Sequence, residues 1–119
     1  MRFVKENINP LEKKTSDCVI RAIAKATGMN WLTIFDSLTK IAREKYSVLN
    51  ADDVYFKYLK NLETGTCQAV KGRRRDRVKD FSLGTYILKT ANHLTCVIDG
   101  VNYDTFDNRE RCVYRFWRF

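Results

Sequence analysis

Apolar positions along the chain change period once, near residue 65. Before that point they recur every three or four residues: Val19, Ile20, Ile23, Ala24 and Ala26, then Trp31, Ile34, Phe35, Leu38 and Ile41, then Val54, Tyr58, Leu59 and Leu62. Side chains at this spacing share one face of a helix, so the pattern predicts three amphipathic helices with buried stripes. Beyond it the pattern alternates, first over Thr85-Tyr86-Ile87-Leu88-Lys89 and then over Asn92-His93-Leu94-Thr95-Cys96-Val97-Ile98, which predicts strands. Residues 1–14 have no clear period and contain the only proline, Pro10, and they read as an extended lead-in.

Capping chemistry supplies the boundaries. Thr15 or Ser16 is placed to cap a first helix over residues 17–27, with Asp17 favourable in its first turn and Gly28 suited to end it. Asn30 can cap the second helix. Asn50, followed three residues later by Asp53, resembles an acidic variant of the capping box for a third helix that ends before Gly65. Cys67-Gln68-Ala69-Val70 predicts a short strand, and Arg111-Cys112-Val113-Tyr114-Arg115-Phe116-Trp117-Arg118 predicts the last one. Helices first and an antiparallel sheet afterwards give an α+β class in one domain, residues 1–119, without repeats or an internal linker.

The second half contains a hairpin whose register can be counted. Asp99 and Gly100 suit the positive φ angles of a two-residue type I′ turn. Ile98 then faces Val101, Thr95 faces Asp104 and His93 faces Phe106. His93, Thr95, Val97, Asn102, Asp104 and Phe106 share one side of the ribbon, and Leu94, Cys96, Ile98, Val101 and Tyr103 share the other. Asp104 becomes the diagonal neighbour of His93, within reach of its imidazole.

Composition narrows what such a domain can be. A 119-residue chain with 45% apolar residues can bury a core without staples. Its four cysteines, at 18, 67, 96 and 112, are too few and too irregular for a disulfide framework or a paired-thiolate zinc site, and they read as reduced thiols of a cytoplasmic protein. No apolar run approaches the roughly 20 residues of a membrane span, and the first residues lack the apolar stretch of a secretory signal. Neither a metal nor a cofactor motif is present, and the Trp31 stripe reads as core.

The net charge of +8 favours acidic partners, protein or peptide. Its densest block is Lys71-Gly72-Arg73-Arg74-Arg75-Asp76-Arg77. This run reads first as a solvated loop because no aromatic residue interrupts it; the alternative is a nucleic-acid footprint on Arg73, Arg74, Arg75 and Arg77.

His93 is the only histidine, so any imidazole chemistry belongs to it. Cys18 sits in the expected first turn of the first helix, where the helix dipole lowers a thiol pKa. A cysteine, a distant histidine and an acid behind it form a candidate nucleophile, base and orienter: Cys18, His93 and Asp104. Asp107 and Asn108 are the second choices for the orienter. Cys96 and Cys112 fall on apolar strand faces and read as core.

The order Cys18, His93, Asp104 resembles that of papain-like proteins, in which a cysteine opens the first long helix, a histidine heads a later strand and a polar orienter follows on the next. Asp104 and Phe106 stand where papain has Asn and, two positions later, Trp. The acidic orienter is more similar to bacterial relatives such as the bacteriocin-processing peptidases. More narrowly, Thr15-Ser16-Asp17-Cys18-Val19-Ile20-Arg21-Ala22-Ile23-Ala24 and the hairpin from His93 to Asp107 resemble small papain-like proteins carried by bacteriophages and mobile elements, which would place this one in a host cytoplasm. The resemblance implies a cysteine hydrolase acting on an amide, isopeptide or thioester bond. One departure stands out. Papain-like peptidases place a Gln oxyanion donor shortly before the nucleophile, whereas Glu12 lies six residues before Cys18; the Cys18 backbone amide with the side chain of Asn9, or of Asn7, is the candidate replacement. The alternative function is a papain-like scaffold without turnover, a phage-encoded binder or inhibitor of a host protein or nucleic-acid complex.

Overall fold

The computed structural model describes residues 1–60, 62, 65–68 and 75–119, with 65–68 described through their backbone. Three helices follow one another: α1 (Cys18–Thr27), α2 (Trp31–Lys45) and α3 (Asp52–Lys60). α1 ends at Gly28, whose φ of +71° lies in the left-handed region and whose N–H donates to the Ala24 carbonyl. α2 starts as expected, with the Asn30 side chain accepting from the Leu32 N–H at 2.8 Å.

Two helix starts differ from expectation. The residue before α1 is Asp17, not Thr15 or Ser16, and its carboxylate makes no capping bond. It is committed to side chains elsewhere. α3 begins at Asp52, two residues after Asn50, and the Asp53 carboxylate accepts from the Ser47 hydroxyl at 3.2 Å instead of closing a box on Asn50.

Six strands form one sheet: β1 (Arg2–Lys5), β2 (Gly65–Gln68), β3 (Thr85–Thr90), β4 (His93–Ile98), β5 (Val101–Asp104) and β6 (Arg115–Arg118). Their spatial order is β1-β5-β4-β3-β6-β2. The sheet is mixed, which corrects the antiparallel expectation. β1 comes from the lead-in and runs parallel to β5, from Arg2 opposite Val101 to Lys5 opposite Asp104. Four residues with two half-buried side chains between two exposed ones are too short to show an alternating period. β2 starts two residues before the expected strand; residues 69 and 70 lie outside the described residues. The last strand is shorter than expected, with Cys112 held by an isolated bridge to Arg77.

The hairpin keeps its counted register. Asp99 and Gly100 have φ of +47° and +76°, and Ile98 pairs with Val101, Val97 with Asn102 and Cys96 with Tyr103. Strand alternation then sorts the core into two parts. Ile87, Leu94 and Trp117 pack with Ile20, Ile23 and Leu38 in the helical layer. Leu88 and Val97 pack with Val78, Phe81 and Val113 in a second cluster. Each fully buried side chain of this size contributes about 1.5–3 kcal/mol. α1 packs chiefly on β4, and that contact brings its first residue to the head of the strand. Among the described residues no helix is long and apolar enough to cross a membrane.

Candidate active site

The hairpin turn sets the distance between the first residue of β4 and the last of β5. Those residues are His93 and Asp104, and His93 Nε2 lies 2.7 Å from Asp104 Oδ2. Cys18, the first residue of α1, lies against the His93 side chain and the Leu94 backbone amide, which together act on its thiol. With Nε2 held by the carboxylate, Nδ1 is the ring nitrogen left for sulfur. The three residues singled out in the sequence therefore meet, although 83 positions separate α1's Arg21 from its contact on Asp104.

Their proton affinities follow from this contact. Burial works to raise the Cys18 pKa, but the hydrogen bonds from His93 and the Leu94 amide outweigh it and the thiol falls below its ordinary value. Burial works to lower the His93 pKa, but its bonds to Asp104 and Cys18 outweigh that and raise it to about 9. Burial opposes ionisation of Asp104 too, and the His93 bond leads the contacts that nevertheless hold its carboxyl below the usual range. These directions favour a thiolate beside an imidazolium.

Behind the imidazole the carboxylate is fully engaged. Asp104 Oδ2 also accepts from Asn108 Nδ2 at 2.8 Å, while Oδ1 accepts from the Thr105 N–H at 2.7 Å and from Arg21 Nη1 at 3.1 Å. Asn108, a second choice for the orienter, thus holds Asp104 and not the histidine. Asp107, the other, pairs with Arg109 at 2.8 Å. Phe106 covers the pair, its ring centroid 4.8 Å from that of His93, and the Arg111 guanidinium sits 5.0 Å from the Phe106 centroid. The imidazole is left only 9% exposed, which keeps water from weakening its bond to Asp104.

A second buried acid was missed by the sequence reading. Asp17 is 4% exposed, its Oδ1 accepting from Arg21 Nε at 2.8 Å and its Oδ2 from Trp31 Nε1 at 3.0 Å and Asn9 Nδ2 at 3.1 Å. Arg21 therefore lies between two carboxylates, Asp17 and Asp104. Only its i, i+4 spacing from Asp17 was visible in the sequence, and that spacing is common on solvated helices. Trp31 does stack on Phe35, as a core stripe predicts, but its half-buried indole N–H also takes a partner in Asp17.

Asn9 takes a supporting place. Its side-chain amide donates to Asp17, and its oxygen accepts from the backbone N–H groups of Leu11 at 2.9 Å and Lys13 at 3.3 Å. Asn7 donates to the Lys13 carbonyl. These bonds shape the loop that precedes Cys18 and hold Asn9 against Asp17. Of the remaining described cysteines, Cys96 is buried in the sheet, and burial pushes its thiol up to about 12; Cys112 is half-buried. From the basic block, Arg75 lies over Tyr114 and Arg77 donates to the Glu110 carbonyl, whereas Arg73 and Arg74 lie outside the described residues.

A cleft of about 870 Å³ opens beside the start of α1, lined by Asp17, Arg21, Thr105 and the loop ahead of the helix. Its size suits a ligand or a peptide segment. Among the described residues no group of three or more His, Cys, Asp or Glu side chains could hold a metal ion. No family model, no curated protein and no solved structure matches this chain.

Proposed function

We propose that this chain is a papain-like cysteine hydrolase that attacks an amide, isopeptide or thioester carbonyl. The observation that carries this reading is the unbroken line of contacts from Cys18 through His93 to Asp104, closed by the 2.7 Å bond. In the proposed reaction the Cys18 thiolate adds to the carbonyl carbon, and the carbonyl electron pair moves onto oxygen. The imidazolium then gives its Nδ1 proton to the leaving nitrogen or sulfur as the tetrahedral adduct collapses to an acyl-thioenzyme. His93 next takes a proton from water, whose oxygen displaces sulfur and releases the acid. Asp104 stays ionised throughout and keeps the ring aimed at sulfur.

The oxyanion falls to the helix start. The first N–H groups of a helix have no intrahelical partner, and Asp17 has turned its carboxylate away from them. The Cys18 amide is thus available beside the nucleophile, at the positive end of the helix dipole.

Alkylation with iodoacetamide across pH, with modified cysteines located by mass spectrometry, tests the reading. Cys18 should react well below the free-thiol pKa of roughly 8.5, Cys96 should stay silent, and His93→Ala should remove the low-pH reactivity. A Cys18 that reacts no faster than an unfolded thiol, or reacts independently of His93, would overturn the enzyme and point to a binding scaffold.

A further inference from the structure

The cleft beside α1 is not neutral. Of the acids on its wall, Glu6 is paired with Lys25 at 2.9 Å and Asp17 is held by Arg21 at 2.8 Å. Lys5, Lys13 and Lys14 also line it; all three are exposed, and none forms an ion pair among the described residues. Against these three cations the wall sets one acid with no ion pair among the described residues, Glu12. Cys18 lines a separate small pocket that shares Glu6 and Arg21 with the cleft, so a chain lying in the cleft comes within one side chain of it.

We infer that this cleft selects an acidic peptide segment, with carboxylates on Lys5, Lys13 and Lys14 as Cys18 reaches the adjacent carbonyl. The inference rests on the proposed role of Cys18. A peptide suits the wall better than a nucleic acid for two reasons. Among the described residues no aromatic side chain lines the cleft to stack a base. In addition, Lys5 ends β1, an outermost strand whose outer edge is unpaired among the described residues and can accept a peptide backbone as a further strand.

Two chloroacetyl peptides, one rich in Asp and Glu and one rich in Lys, test this on the full chain by their rates of alkylating Cys18, with iodoacetamide as the small neutral reference. The acidic peptide should react about tenfold faster at low salt, the size expected from two or three exposed charge contacts, and the advantage should shrink as salt is raised. Lys13→Glu with Lys14→Glu should reverse the preference, and Glu12→Gln should increase it, while iodoacetamide reacts with all variants alike. Equal rates for the two peptides would overturn the inference, as would an oligothymidylate that protects Cys18 as well as the free acidic peptide does. Loss of the His93-dependent iodoacetamide reaction itself would instead count against the nucleophile.

Discussion

Asp104 does more than orient a ring. It receives hydrogen bonds from His93, Asn108, Arg21 and the Thr105 amide, so the imidazole is positioned by a carboxylate that is itself immobilised. Because His93 is the only histidine, its ring gives a single set of NMR signals and its titration can be read without assignment. The midpoint should lie at about 9. Asp104→Asn should lower it by about 1–2 pH units, the equivalent of one lost charge-assisted hydrogen bond. A wild-type midpoint near the ordinary 6.5 would mean that the imidazolium is not held.

At the scale of elements, the hairpin was the most legible part of the chain, because its turn residues and its alternation specify the same register. The turn asks for positive φ at Asp99 and Gly100, and both have it. Adding a methyl group at Gly100 would meet only the Ser82 carbonyl at 3.6 Å, an ordinary contact, so the φ of +76° is what resists substitution. Gly100→Ala should lower stability by about 1–2 kcal/mol, measurable as a shift in denaturant midpoint, with Cys18 reactivity kept under native conditions. β1 was not legible, since four residues of an outer strand bury too little to leave a period. The start of α1 was misread for a different reason: Asp17 is pulled away from capping by Arg21, Trp31 and Asn9, partners that only the tertiary fold supplies.

For the molecule as a whole, Arg21 fastens the helical layer to the sheet through Asp17 and Asp104. Burial works against ionisation of both acids, yet their hydrogen bonds hold each below the ordinary 3.8. Each binds a proton less readily folded than unfolded, so the stabilisation is complete above about pH 4 and lost as pH falls through the lowered values. The thermal midpoint should therefore drop steeply on acidification below about pH 4. Asp17→Asn should start lower at neutral pH and lose less on the way down; an unchanged acid slope would show that Asp17 is not part of this fastening. That Cys18, His93 and Asp104 belong together could be read from residue type and order, whereas the contacts of Asp17, Arg21 and Asn9 around them could not, because those residues carry no signal until the fold brings them together.

The same geometry orders the assembly of the site. His93 and Asp104 are 11 residues apart, but Arg21 and Asp104 are separated by 83. Closing the longer loop costs about 2 kcal/mol more in chain entropy, so local contacts form before distant ones. A partly folded chain can hold the imidazole against its carboxylate while Cys18 still has the reactivity of an unperturbed thiol. In the proposed reaction the cysteine becomes a strong nucleophile only when α1 docks on β4, so a chain still folding would be spared its own reagent.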